Sequence, residues 1–145
     1  MQKKSWVVLI AEDDEDDFML ARDVFSECCP EVDLRWVKNG EELMDYLFQR
    51  ENFSVSSSAP RPSIILLDLN MPKKDGREAL KEIKASAELR RIPVIVLTTS
   101  NAESDIQYAY DNGVNSFVRK PIGYTQFVDV VKVIDQYWFQ IVKLP

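Results

Sequence analysis

Four short polar runs carry residue types that could line an acidic, cation-holding pocket. They are Glu12-Asp13-Asp14, Asp68-Leu69-Asn70, Thr98-Thr99-Ser100 and Lys120-Pro121, and each follows a run of strand length. Glu12 and Asp13 abut the wholly apolar Trp6-Val7-Val8-Leu9-Ile10-Ala11. Carboxylates held there, near one another and near Asp68, would repel and lose hydration. Something positive is therefore expected among them. Carboxylate and carbonyl oxygens suit a hard ion such as Mg²⁺, which keeps several waters and takes only one or two protein carboxylates. Lys120 supplies a further cation from the far side. Asp14, Glu15, Asp16 and Asp17 read instead as a solvated first helical turn, where acids are favourable, and Thr99 as a residue of β-propensity.

Around these residues, apolar runs of strand length alternate with segments of helical period in five cycles. That is the pattern of strands joined by helical crossovers into a parallel sheet, in which ligands sit beyond the carboxyl ends of the strands. Strands are expected at 6–11, 32–37, 64–68, 92–97 and 116–119, and helices from about 15 to 28, 39 to 49, 75 to 85 and 124 to 142. Strand two alternates Val32, Leu34 and Trp36 with Asp33 and Arg35, which places it at a sheet edge with one wet face. Asn39 is a plausible helix cap, and Asn112-Gly113 a turn. Residues 50–62, rich in serine and with Pro60 and Pro62, read as a long surface loop.

Composition narrows the function classes. The chain of 145 residues is 46% hydrophobic and 29% charged, as a single globular domain is expected to be. Its net charge of −6 argues against a phosphate backbone as partner, so no nucleic acid is expected. There is no histidine, which excludes a histidine triad, a histidine general base and a histidine-ligated zinc site within this chain. Adjacent Cys28 and Cys29 offer poor disulfide geometry and no metal spacing, so a reducing compartment is expected. Lys3 and Lys4 precede an apolar run too short for a secretory signal, and no membrane span is present. A cytoplasmic location follows as an expectation.

Glu12-Asp13, Asp68, Thr98 and Lys120-Pro121, in that order and at those strand ends, resemble the signature of response-regulator receiver domains, the CheY-like family. The resemblance implies an α/β fold, a doubly wound five-stranded parallel sheet of strand order 2-1-3-4-5, flavodoxin-like in class. It covers nearly the whole chain and implies a single receiver domain across 1–145 with a C-terminal helical extension and no output domain. Asp68 would be the nucleophile that takes a phosphoryl group from a phosphohistidine on a sensor histidine kinase. Asp13, Asp68 and the backbone carbonyl of Asn70 would hold Mg²⁺ directly, and Glu12 through water. Thr98 and Lys120 would bind the phosphoryl oxygens. The types make sense: a carboxylate attacks, metal and ammonium neutralise growing charge, and a hydroxyl donates to an oxygen. Pro121 is expected to be a cis-proline that aims Lys120 inward. Thr98 and Phe117 would form the switch, although phenylalanine lacks the hydroxyl often found at that position. Asn70 and Ser100, positions that vary among receivers, are expected to influence removal of the phosphoryl group by water.

Segments 65–78 and 91–100, the long loop and the aromatic C-terminal tail are further similar to small regulators paired with cyanobacterial phytochromes. That similarity implies a light-regulated kinase as donor and a homodimer formed through the C-terminal region. In the last helix Phe127, Val130, Val131, Ile134, Trp138 and Ile141 make one stripe at helical spacing, which reads as its own core face. Val133, Tyr137 and Leu144 lie off it, and Phe139 adds another apolar side chain. Tyr137, Trp138 and Phe139 are accordingly expected at a dimer or kinase interface.

Three alternatives stand beside this reading. A haloacid-dehalogenase-type Mg²⁺-dependent phosphatase also attacks with a strand-end aspartate, but wants a second acid where Asn70 stands. A chemotaxis-type regulator would answer to a different kinase. A degenerate receiver acting only as a binding module would lack a site residue, and none is missing.

Overall fold

A computed structural model describes residues 6–55 and 59–145; Lys3, Lys4, Ser56, Ser57 and Ser58 lie outside the described residues. β1 (Trp6–Ala11) pairs in parallel with β2 (Val32–Val37) on one side and β3 (Ile64–Leu67) on the other. β4 (Val94–Thr98) and β5 (Ser116–Arg119) complete a five-stranded sheet of order β2-β1-β3-β4-β5. β2 is therefore an edge strand, as its alternation implies. Its Asp33 and Arg35 form a two-bond ion pair at 2.9 and 3.0 Å.

Successive residues of a strand point to opposite faces, so the apolar runs of β1, β3 and β4 feed two cores at once. Leu9, Ala11, Ile65, Leu67, Val94 and Val96 face one layer. That layer is closed by α2 (Gly40–Leu47), α3 (Gly76–Ala85) and α4 (Glu103–Asp111). Val8, Ile10, Ile64, Leu66, Ile95 and Leu97 face the other, closed by α1 (Glu15–Cys28) and α5 (Gly123–Ile134). Helices on both faces cover the parallel strands, which explains why those strands are apolar without alternation.

Helix starts are set locally. The side chain of Asp14 accepts from the Asp17 N–H at 3.1 Å, that of Asn39 from Glu42 at 2.8 Å, and that of Asp75 from Arg77 at 2.7 Å. α4 begins after Ala102 without a side-chain cap, which is why its bounds carry no sequence signal. Gly76 is required by a close approach: a Cβ there would stand 2.2 Å from the carbonyl oxygen of Asp68. The start of α3 is thereby packed directly against the end of β3.

The end of the chain departs from the expected stripe. α5 passes into a π-helical turn over Asp135–Ile141, with the Val142 N–H bonded to the Tyr137 carbonyl at 3.0 Å. The wider turn makes residue i+5, not i+4 or i+7, the next on a given face. Phe139 consequently falls in line with buried Ile134 and stacks on Trp6 with ring centroids 5.1 Å apart. Phe139 is thus a core residue, 9% exposed, rather than an interface residue, and Ile141, expected in the core, is 67% exposed. Tyr137 is exposed and Trp138 half-buried, their rings meeting edge to face at 5.2 Å. Among the described residues no helix is long and apolar enough to cross a membrane.

Candidate functional site

Strand register brings the four polar runs together. Ala11 pairs with Leu67, so Glu12 and Asp68 leave the sheet side by side. Thr98 pairs with Arg119, and the following residue, Lys120, donates its N–H to the Thr98 carbonyl at 2.7 Å. Asp68 is 5% exposed. Its Oδ1 accepts from the Asn70 N–H at 3.1 Å and from the Thr98 hydroxyl at 3.0 Å, and its Oδ2 lies 3.1 Å from Lys120 Nζ. Lys120 also reaches Glu12 Oε1 at 2.5 Å and Asp17 Oδ2 at 2.9 Å. Glu12 is fixed from three directions: its N–H donates to the Val37 carbonyl, its Oε2 accepts from the Asp14 N–H, and its carbonyl accepts from Trp36 Nε1 at 2.7 Å.

Burial makes this pocket electrostatically tense. Burial, helped by the charge of Asp68, pushes the Glu12 carboxyl up to about 8 despite its contact with Lys120. For Lys120 burial works toward a lower value, yet hydrogen bonds to Asp17 and Glu12 and the charges of Asp68 and Glu12 outweigh it and hold the ammonium above its usual range. One ammonium is shared among three carboxylates, and exposed Asp13 adds a fourth beside it. Oxygens of Glu12, Asp13 and Asp68 lie within 4.8 Å of one another. An all-oxygen donor set with surplus negative charge fits a hard divalent cation.

The remaining expected residues fall around this centre. The Asn70 side chain is exposed, and the residue meets Asp68 through its backbone N–H. Phe117 is half-buried against the layer under α2, α3 and α4, and its N–H bonds to the Tyr110 hydroxyl at 3.2 Å. No peptide bond among the described residues is cis, so the expected cis-proline is corrected: Lys120-Pro121 is trans, the form X-Pro bonds favour by about 0.5–1 kcal/mol. Lys120 is aimed inward regardless, by its backbone bond to Thr98 and its three carboxylate partners.

Sequence reading missed Asp17, which reads as one more solvated acid but contacts Lys120 from the first turn of α1. It also missed Arg77 and Asp105, which pair through two 2.8 Å bonds beside the pocket. They stand 28 positions apart, on different helices, and no periodicity links them.

Residues 8–132 match the response regulator receiver domain family. The chain belongs to that family. Among receivers it is 39% identical over 139 residues to Response regulator Rcp1 of Synechocystis, covering 96% of this chain and 92% of that one. The fold superposes on the phosphorylated cyanobacterial phytochrome response regulator RcpA with a TM-score of 0.91, at 39% identity over 98% of this chain and 99% of that chain. It superposes on the Mn²⁺-bound form of Rcp1 with a TM-score of 0.87, at 38% identity over 97% and 99% of the two chains. The strand order is the one expected from the sequence, in a response regulator related to the phytochrome regulators.

Proposed function

We propose that this receiver accepts a phosphoryl group on Asp68 from a phosphohistidine of a separate sensor histidine kinase. The observation that carries the reading is the position of Asp68: a buried carboxylate with Lys120 on one oxygen and Thr98 on the other, beside the Glu12 and Asp13 acids. An Asp68 oxygen attacks phosphorus, the P–N bond breaks, and its electron pair stays on the imidazole of the donor. Lys120 and Thr98, already within hydrogen-bonding distance of Asp68, take the phosphoryl oxygens. Asp13, Asp68 and the Asn70 carbonyl, with Glu12 through water, would hold Mg²⁺. When bound, that ion neutralises charge on the phosphoryl oxygens. Since these 145 residues include no histidine, none of them can serve as the donor.

The kinase we infer is a phytochrome, on the strength of the relatives' names, in the cytoplasm. Thr98 and Phe117 would read out phosphorylation, and the phosphoryl group would be lost slowly to water. A homodimer would use Tyr137 and Trp138, which with Val130 and Val133 border an apolar groove of about 530 Å³ at the β5 edge. Nothing favours a dehalogenase-type phosphatase, because exposed Asn70 stands where its second acid would be needed.

A small phosphodonor with Mg²⁺ tests the reading. A lasting acyl phosphate on the wild-type chain, absent from a folded Asp68→Asn variant by intact-protein mass spectrometry, is expected. Undiminished labelling of that variant would refute the assignment, and rapid multiple turnover would favour a phosphatase.

A further inference from the structure

A second network flanks the pocket and is not consumed by phosphoryl uptake. Arg77, in the first turn of α3, meets Asp105, in the first turn of α4, through Nε to Oδ1 and Nη2 to Oδ2, each at 2.8 Å. Arg77 Nη1 also lies 3.4 Å from the Leu69 carbonyl and 3.4 Å from Asp75 Oδ2. The Tyr108 hydroxyl donates to the Arg77 carbonyl at 3.2 Å. Asp105 Oδ2 in turn accepts the Ser100 hydroxyl at 2.6 Å. Ser100 itself sits next to the phosphoacceptor machinery: its N–H is 3.5 Å from Thr98 Oγ1, whose hydroxyl donates to Asp68.

Two-bond guanidinium–carboxylate pairs are geometrically specific, and this one is only 28% and 17% exposed on its two side chains. The Arg77 hydrogen bonds, followed by the Ser100 hydroxyl, hold the Asp105 carboxyl down at about 2. Asp105 is therefore a permanent acceptor at neutral pH. α4 lacks a side-chain cap of its own, so this carboxylate ties segment 99–102 to the helix that follows it. The Ser100 hydroxyl proton is committed to Asp105.

We propose that Arg77 and Asp105 are positioning residues that set the lifetime of the phosphoryl group, by holding Ser100 and segment 99–102 so that water is poorly placed for attack. The proposal rests on the phosphoacceptor reading of Asp68. In hydrolysis the water oxygen bonds to phosphorus and the bond from phosphorus to the Asp68 oxygen breaks. Its electron pair remains on the carboxylate, and the water proton leaves with inorganic phosphate or solvent. A Ser100 hydroxyl released from Asp105 is free to orient that water.

The test is the decay of acyl phosphate after labelling with a small phosphodonor and Mg²⁺ and removal of the donor. Arg77→Ala and Asp105→Ala should take label and lose it several-fold faster than wild type. Asp105→Glu, which keeps the carboxylate, should stay closer to wild type. Ser100→Ala placed over Asp105→Ala should return the decay most of the way to the wild-type rate; failure to do so overturns the role given to Ser100. Melting temperatures measured alongside separate a prop from a positioning pair. Labelled alanine variants with a lowered melting temperature but wild-type decay would overturn the proposal while leaving Asp68 as phosphoacceptor. A wild-type chain that takes no label would remove both.

Discussion

Lys120 Nζ stands 2.5 Å from Glu12 Oε1 and 3.1 Å from Asp68 Oδ2, the shared counter-charge of two buried carboxylates. Its side chain is only 13% exposed, so solvent screens the interaction little. Removing one member of a buried ion cluster leaves the others uncompensated, which typically costs 3–5 kcal/mol. Some of that cost is relieved here, because burial pushes the Glu12 carboxyl up to about 8 and lets it keep its proton.

Lys120→Met should accordingly lower metal-free stability by about 3 kcal/mol at most. Magnesium should recover more stability in this variant than in wild type, since the divalent ion then becomes the pocket's only cation. Urea unfolding with and without magnesium measures both quantities. An unchanged metal-free midpoint would contradict the electrostatic account of the pocket.

The C-terminal turn makes a paired prediction. Phe139 stacks on Trp6 inside the α1–α5 layer, whereas Tyr137, two residues earlier, is 50% exposed. Phe139→Ala should cost roughly 3 kcal/mol, the usual loss for a buried phenylalanine. Tyr137→Ser should change monomer stability by no more than about 0.5 kcal/mol, as surface substitutions do, but weaken self-association. Denaturant midpoints and sedimentation across a dilution series distinguish the two. Equal costs for both would mean the π-helical turn does not set the face.

These residues also show what a sequence can and cannot disclose. β1 is legible because burial on both faces demands an unbroken apolar run, and the register that follows from it sets Glu12 beside Asp68. Asn39 and Asp75 announce helix starts through their own side chains, while α4, capped by Ala102, announces nothing. The burial of Phe139 is not legible, because a stripe drawn at 3.6 residues per turn has no means of anticipating a turn with i to i+5 bonds. Asp17 and Asp105 look like other surface acids until tertiary packing brings Lys120 and Arg77 to them. Local patterning thus locates the pocket, and long-range ion pairs finish it.

Tyr46 supplies a pH-dependent test away from the pocket. Its ring is buried in the layer under α2, and its hydroxyl donates to the Pro60 carbonyl at 2.8 Å, tying the long loop to α2. Burial pushes this phenol up to about 12, against about 10 for an unfolded tyrosine. The folded state therefore binds the proton more tightly than the unfolded state. That preference leaves stability intact below pH of about 10 and erodes it as pH rises through about 12. Unfolding midpoints should fall across that window, and Tyr46→Phe should show a shallower fall after losing about 1 kcal/mol at neutral pH from the missing hydrogen bond. Parallel declines for wild type and variant, measured by urea titration at each pH, would show that the Tyr46 hydroxyl is not what the alkaline limb reports.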